Sequence, residues 1–357
     1  GAAPACDTPV FQWALERWGA RAVEECYELV VFHRSELDDA TASTVEWLRK
    51  RAWPDARPEK DLLPANPIVR TQDVDGEMAE DLKGLWEAQE KPELPWVVVA
   101  YPLATRIPVW VWAGKLDQDV AQRIVDSPLR RKIVERMLDG DAAVWVFVEC
   151  GDAEKDAAAR SLIETQLASL EKLIELPEPY DPNAAWQYWE TSEEGGEEEE
   201  PAAPEPRHPT FSLEVLSKDD AAETIFRTML VRTEKDLEED ASKLPSAFPI
   251  FGRARVLYAL VGEGIHKGNI ELACQYITGR CSCEFKWMNP GTDLLVAADW
   301  DKVPLSPEMS PEAVLSLVAP LTEDRIEATE EVETELVVVD AEEPPAVEAV
   351  EATEAAS

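Results

Sequence analysis

The chain has 357 residues, with 73 Asp and Glu against 34 Lys and Arg, a formal net charge of −39, and 45% hydrophobic residues including 13 Trp. That length and apolar content are enough for two ordinary domains, each burying its own core, and no run approaches the roughly 18 apolar residues of a membrane span. The charge makes nucleic acid and anionic membrane poor partners, because a polyanion repels phosphate and headgroups unless a local basic patch intervenes.

At the start, Ala3-Pro4-Ala5 ahead of Cys6 has the small-x-small spacing that a signal peptidase cuts. Gly1 to Ala5 are therefore expected to be the end of an export signal and the setting extracytoplasmic, periplasmic or secreted. A lipid-anchored Cys6 is disfavoured by Ala3, where leucine is usual. Six cysteines permit an oxidising compartment.

Asp7 or Thr8, with Pro9 in the first turn, opens a helix through Val10, Trp13, Ala14 and Arg17. Leu29 to Phe32 reads as a short buried strand ending at His33-Arg34, and Ser43 as the cap of a helix carrying Val45, Trp47 and Leu48. Ile68 to Val74 is a second strand, followed after Asp75-Gly76 by a helix with Met78, Leu82, Leu85 and Trp86. Leu94-Pro95 introduces a third strand, Trp96 to Ala100, which pairs antiparallel with a fourth, Ile107 to Trp112. A helix from Asp117 breaks at Asp126, and Ser127-Pro128 restarts it as far as Gly140.

The order strand, helix, strand, helix, strand, strand, helix, with a proline before the third strand, resembles the thioredoxin fold over residues 27 to 139. The resemblance implies a cis peptide at Pro95. It does not carry over that family's dithiol chemistry: after the first strand the chain reads His33-Arg34-Ser35-Glu36-Leu37, with no Cys-x-x-Cys pair to supply a thiolate and a resolving thiol.

A second round begins with a strand, Ala143 to Val148, ending near Cys150-Gly151-Asp152. A long helix follows through Ile163, Leu167, Leu170 and Ile174. Residues 191–206, TSEEGGEEEEPAAPEP, form an acidic insertion whose like charges and prolines resist packing. A strand, Phe211 to Leu216, and a helix, Ala221 to Val231, come next. The stretch from Arg253 to Trp300 adds a strand (Val256 to Val261), a helix opened by Asn269 and stopped at Gly279, and a hairpin of Cys283 to Trp287 with Leu294 to Ala298 around Asn-Pro-Gly. From Glu323 onward the chain is acidic and without period, a disordered tail by composition.

The fold class expected is therefore α/β: two tandem thioredoxin-like domains of βαβαββα type, residues 1–140 and 141–305, with the acidic insertion near 191–206 and an acidic tail over 306–357. The segments CDTPV-FQWALERW, SPLRRKIVERMLDGDAAVWVFVECGDAEKDAAA and CSCEFKWMNPGTDLLVAADW resemble uncharacterised exported bacterial proteins. That resemblance implies an extracytoplasmic setting and no chemistry.

Among candidate sites, Cys274, Cys281, Cys283 and His266 lie within eighteen residues and offer a tetrahedral zinc shell. The spacing favours a structural disulfide instead, from Cys274 to Cys281 or Cys283, and buried inert thiols are the third reading. Gly262-x-Gly264 with Gly268 offers backbone N–H groups to an anion, against a plain turn. Arg253 and Arg255 form an anion or partner contact unless they pair internally. The same alternative holds for Arg130, Arg131, Lys132 and Arg136. His33 stands as a general base or a capping histidine, and Trp110 and Trp112 as a stripe of core.

No catalytic triad is readable, and no cofactor is expected. The function expected is a non-catalytic exported binding or scaffolding protein with a protein partner, acting through sheet edges and the domain junction. The alternative is a redox or metal-handling protein centred on Cys274, Cys281 and Cys283.

Overall fold

A computed structural model describes residues 8–17, 23–54, 57, 62–90, 92–177, 206–234, 236–282 and 290–303. The chain divides into two compact units, Gly1–Leu305 and Ser306–Ser357. Every described residue belongs to the first, and the acidic tail and, of the insertion 191–206, all but Pro206 lie outside the described residues.

The first unit is a mixed α/β structure with two mixed sheets. One sheet contains β1 (Tyr27–His33), β2 (Pro67–Asp73), β3 (Trp96–Ala100) and β4 (Trp110–Lys115), in the order β2-β1-β3-β4. The other contains β5 (Ala143–Val148), β6 (Phe211–Leu216), β7 (Ser246–Phe251), β8 (Arg255–Val256), β9 (Leu260–Val261) and β10 (Thr292–Asp293). Its order is β10-β8-β7-β5-β6, and β9 also pairs with β7. In each sheet the first strand lies parallel to the second and antiparallel to the third. The two lobes, one built on each sheet, thus share one order of four strands, β2-β1-β3-β4 and β6-β5-β7-β8.

Helices α1 (Val10–Arg17), α2 (Asp39–Arg49), α3 (Glu80–Glu87), α4 (Gln118–Val125), α5 (Pro128–Leu138), α6 (Ala153–Leu173), α7 (Thr224–Val231), α8 (Leu237–Ala241) and α9 (Lys267–Thr278) complete the fold. Strand alternation decides which helices each sheet face receives. On β1, Tyr27, Leu29 and Val31 point into a core shared with α4, α5 and α7, whereas Val30 and Phe32 point the other way, onto Leu82 of α3. On β5, Val144, Val146 and Val148 enter the shared core, and Trp145 and Phe147 face α6, α9 and α1. All six residues of β5 are buried, the continuous apolar run of a strand covered on both faces.

The shared core lies between the sheets, with α7 packed on β4 and α5 on β5 and β6. Hydrogen bonds cross with it: Tyr101 Oη donates to the Met229 carbonyl (2.7 Å), Tyr27 Oη to that of Asp293 (2.9 Å), and the Ala298 amide to that of Pro64 (3.0 Å). At the centre sits Arg130, 1% exposed. Its guanidinium donates to the carbonyls of Arg123 (2.5 Å) and Ile124 (2.7 Å) at the end of α4, to that of Leu295 (2.9 Å), and to Ser127 Oγ (3.0 Å). A cation is favoured at a helix C-terminus, and the orphan carbonyls there give it acceptors. Burial pulls its pKa down to about 10.

The structure corrects several boundaries. Helix α2 begins before Ser43: Asp38 Oδ1 accepts from the Thr41 amide (2.8 Å) as the cap, and Ser43 Oγ only donates back to the Asp39 carbonyl (2.7 Å). Strand β4 begins at Trp110 rather than Ile107, since Arg106 takes a left-handed φ of 56° and Pro108 has no N–H for a ladder. The run Val256 to Val261 splits into β8 and β9, both antiparallel to β7. Leu294 to Ala298 is no strand: it is buried between the lobes, and its backbone bonds go to scattered partners, among them Ala254 and Arg130. Strand β7 itself has no counterpart in the sequence reading. Leu244-Pro245 stands before it as Leu94-Pro95 stands before β3, and Leu94–Pro95 is the cis peptide expected there.

Candidate functional site

In this topology the turn from first strand to first helix occurs twice, after β1 and after β5. Both turns are closed by the protein's own side chains. After β1, His33 Nδ1 donates to the Ser35 carbonyl (2.7 Å), which fixes its tautomer and leaves it as a turn staple, and Arg34 pairs with Asp75 (2.8 Å) in solvent. After β5, the amides of Cys150 and Gly151 both donate to the Asp156 carboxylate, 3.0 Å to each oxygen. Asp156 is buried and sits in the first turn of α6. Two successive N–H groups beside a helix N-terminus form a ready anion site, and an internal carboxylate fills it. Lys218 Nζ donates to the Cys150 carbonyl (3.0 Å). The Cys150 thiol is pushed up, first by burial.

The C-terminal stretch disperses its candidates. His266 is the N-cap of α9, its Nδ1 accepting from the Asn269 amide at 3.4 Å. Cys274 is a buried free thiol on the face of α9 that meets Trp145. Burial pushes its pKa up to about 12, against the smaller opposing effect of the Trp145 indole N–H. Cys281 is buried, with its amide bonded to the Thr8 carbonyl (3.0 Å). Cys283 lies outside the described residues. Among the described residues no three His, Cys, Asp or Glu side chains converge as metal ligands do.

The glycine turn after β9 is bonded to itself and its neighbours: the amides of Gly262, Ile265 and His266 donate to the carbonyls of Pro245, Gly262 and Gly264. Arg253 donates to the carbonyls of Leu15 (2.7 Å) and Glu16 (3.2 Å) and anchors α1. Arg255, 6% exposed, is paired with Asp293 (2.5 Å) and bonded to the carbonyls of Pro290 and Gly291. Lys132 and Arg136 meet Glu214 on β6 (2.5 and 3.7 Å), and Arg131 meets Asp126 (2.7 Å). Trp112 packs against the shared core and Trp110 against the opposite one.

An open concavity lies at the lobe junction. A groove of about 660 Å³ runs between residues 105–110, which lead into β4, and the segment from the end of α7 into α8. It is nearly four times the volume of the cleft lined by Trp53 and Trp300, about 170 Å³, and falls within the 300–1,000 Å³ of ligand pockets. Ile107, Val109, Trp110 and Val231 give it an apolar floor. Arg232 closes one end, forked onto Glu238 (2.8 and 2.9 Å) and donating to the Trp110 and Val111 carbonyls. Those are edge carbonyls of β4, so the guanidinium also occupies that sheet edge. Nothing in the sequence reading singled the groove out, because its walls come from segments over 120 residues apart. Against known proteins, the chain matches no protein-family model and no curated sequence.

Proposed function

We propose that this is a non-catalytic exported protein that binds a protein partner, built on two degenerate thioredoxin-like lobes. The repeated strand order and directions support the thioredoxin-like reading, as do the paired Leu-Pro steps before β3 and β7. Export rests on the small-x-small pattern at Ala3 to Ala5. The observation that carries the non-catalytic reading is the double closure of the strand-to-helix turns, where that fold family keeps its dithiol. One turn has no cysteine. The other has a single buried Cys150 whose neighbouring amides are occupied by Asp156. A thiolate is the reactive species, and burial holds the thiols of Cys150 and Cys274 in the protonated form.

The test is a disulfide-reduction assay on the full chain, together with thiol titration at pH 8. No turnover above the blank is expected, and Cys150 and Cys274 should react only after denaturant is added. Turnover lost in Cys150→Ser overturns the reading in favour of redox chemistry. A stoichiometric bound metal lost in Cys274→Ala overturns it in favour of metal handling.

A further inference from the structure

The junction groove carries more than its volume. Val109, which lines one wall of the groove, is 45% exposed, and Leu103, outside the lining but in the same β3–β4 connection, is 72% exposed. Large apolar side chains held out in solvent beside an apolar floor mark an interaction surface. Arg106 on that wall and Asp236 on the facing wall both hold left-handed backbone, φ 56° and 66°. Such conformations cost free energy in non-glycine residues and concentrate at functional sites. Of the four non-glycine residues with positive φ among those described, two line this one groove.

The groove's lining carries three carboxylates, Glu234, Asp236 and Glu238, against two arginines, Arg106 and Arg232. Five carboxylates lie between Glu234 and Asp240. Arg232 holds Glu238 and Lys243 holds Glu239, and Lys235 lies outside the described residues. Glu234 accepts the Ala259 amide through one oxygen (3.2 Å), and Asp236 and Asp240 are exposed without an ion pair to a described residue. A chain of net charge −39 also attracts cationic partners from a distance.

We propose that the groove receives an extended segment of a basic protein. An apolar side chain rests on Val109 and Trp110, and flanking lysines or arginines meet Glu234 and Asp236. The proposal rests on the non-catalytic binding reading and specifies its partner. The apolar anchor supplies most of the affinity by displacing water from the floor. The carboxylate lip supplies on-rate and partner choice.

The experiment is fluorescence anisotropy of the full chain with three labelled heptapeptides, Lys-Lys-Leu-Phe-Leu-Lys-Lys and its all-glutamate and all-glutamine counterparts at the flanks. Each is measured at two salt concentrations. The lysine peptide should bind tightest, weaken several-fold as salt rises, and lose at least tenfold in Val109→Asp, a change at an exposed position that leaves the fold intact. The double variant Glu234→Gln with Asp236→Asn should lose several-fold for the lysine peptide and nothing for the glutamine one.

Lysine-peptide binding unchanged in Val109→Asp overturns the site, since adsorption to the acidic surface elsewhere would then account for it. Preference for the glutamate peptide, abolished by Val109→Asp, overturns the basic partner while leaving a docking groove. Binding of none of the three overturns the docking proposal, and the disulfide-reduction assay still judges the non-catalytic reading separately.

Discussion

The two lobes share a topology and differ in how each finishes its first turn. In the first lobe the turn after β1 is fastened in solvent, by an Arg34–Asp75 pair with both side chains 61% exposed. In the second, the turn after β5 is fastened from inside, by a carboxylate 7% exposed that holds two backbone amides. An exposed pair contributes little, because water and salt screen it. A buried acceptor is expensive to remove, because its donors are left without partners. The same place in one fold can therefore be a tolerant surface or a structural lock, and only the second constrains the helix that follows.

The largest expected effect is at the residue that couples the lobes. Arg130→Ala should lower stability by about 3–5 kcal/mol, since the carbonyls of Arg123, Ile124 and Leu295 lose their donor at about 1–3 kcal/mol each around a cavity. Calorimetry checks it, and two separate transitions in the variant would show that Arg130 makes the lobes melt together. Next comes the direct test of the two turns. Asp156→Ala should cost about 2–3 kcal/mol and Arg34→Ala less than about 1 kcal/mol, both read from denaturant midpoints. Equal costs would erase the distinction.

The smallest effect concerns pH. Asp141, at the start of the second lobe, is hydrogen-bonded by Ser212 Oγ, and burial raises its pKa above the usual carboxylate value. The folded state then holds this proton more tightly than the unfolded chain, so stability from this group falls as pH rises through the carboxylate range. Asp141→Asn should raise Tm by less than about 3 °C at pH 7. The gain should vanish near pH 3, where Asp141 is protonated in both states.

Much of the fold was legible in the sequence where local signals were sufficient. Trp96 to Ala100, Ala143 to Val148 and Phe211 to Leu216 are observed with the expected bounds. The Ser127-Pro128 restart also falls as expected, because a side-chain cap and a proline in the first turn fix a helix start locally. Leu294 to Ala298 failed for the opposite reason. Its apolar run reads as a strand, but what buries it is the facing lobe, and a five-residue apolar run cannot disclose its partner. Arg130 was readable only as one of four cations on a helix. Its burial depends on Leu295, 165 residues away. In the sequence Arg253 and Arg255 read as surface contacts or internal pairs, and the carbonyls that take them belong to distant segments.

Tyr27 bonds to a carbonyl 266 residues further along, and Tyr101 to one 128 residues on. While the chain is being made, the core that receives Tyr27, Leu29 and Val31 gains its α2, α4 and α5 side chains early but stays incomplete until α7 and the Leu294–Ala298 segment emerge. At roughly 5–20 residues per second, that wait lasts on the order of ten seconds or more. An apolar core left incomplete that long exposes a patch that invites association with other chains. The first lobe is thus a nascent-chain liability that only the completed second lobe removes, and a ribosome stalled near residue 230 would hold it in its most aggregation-prone form.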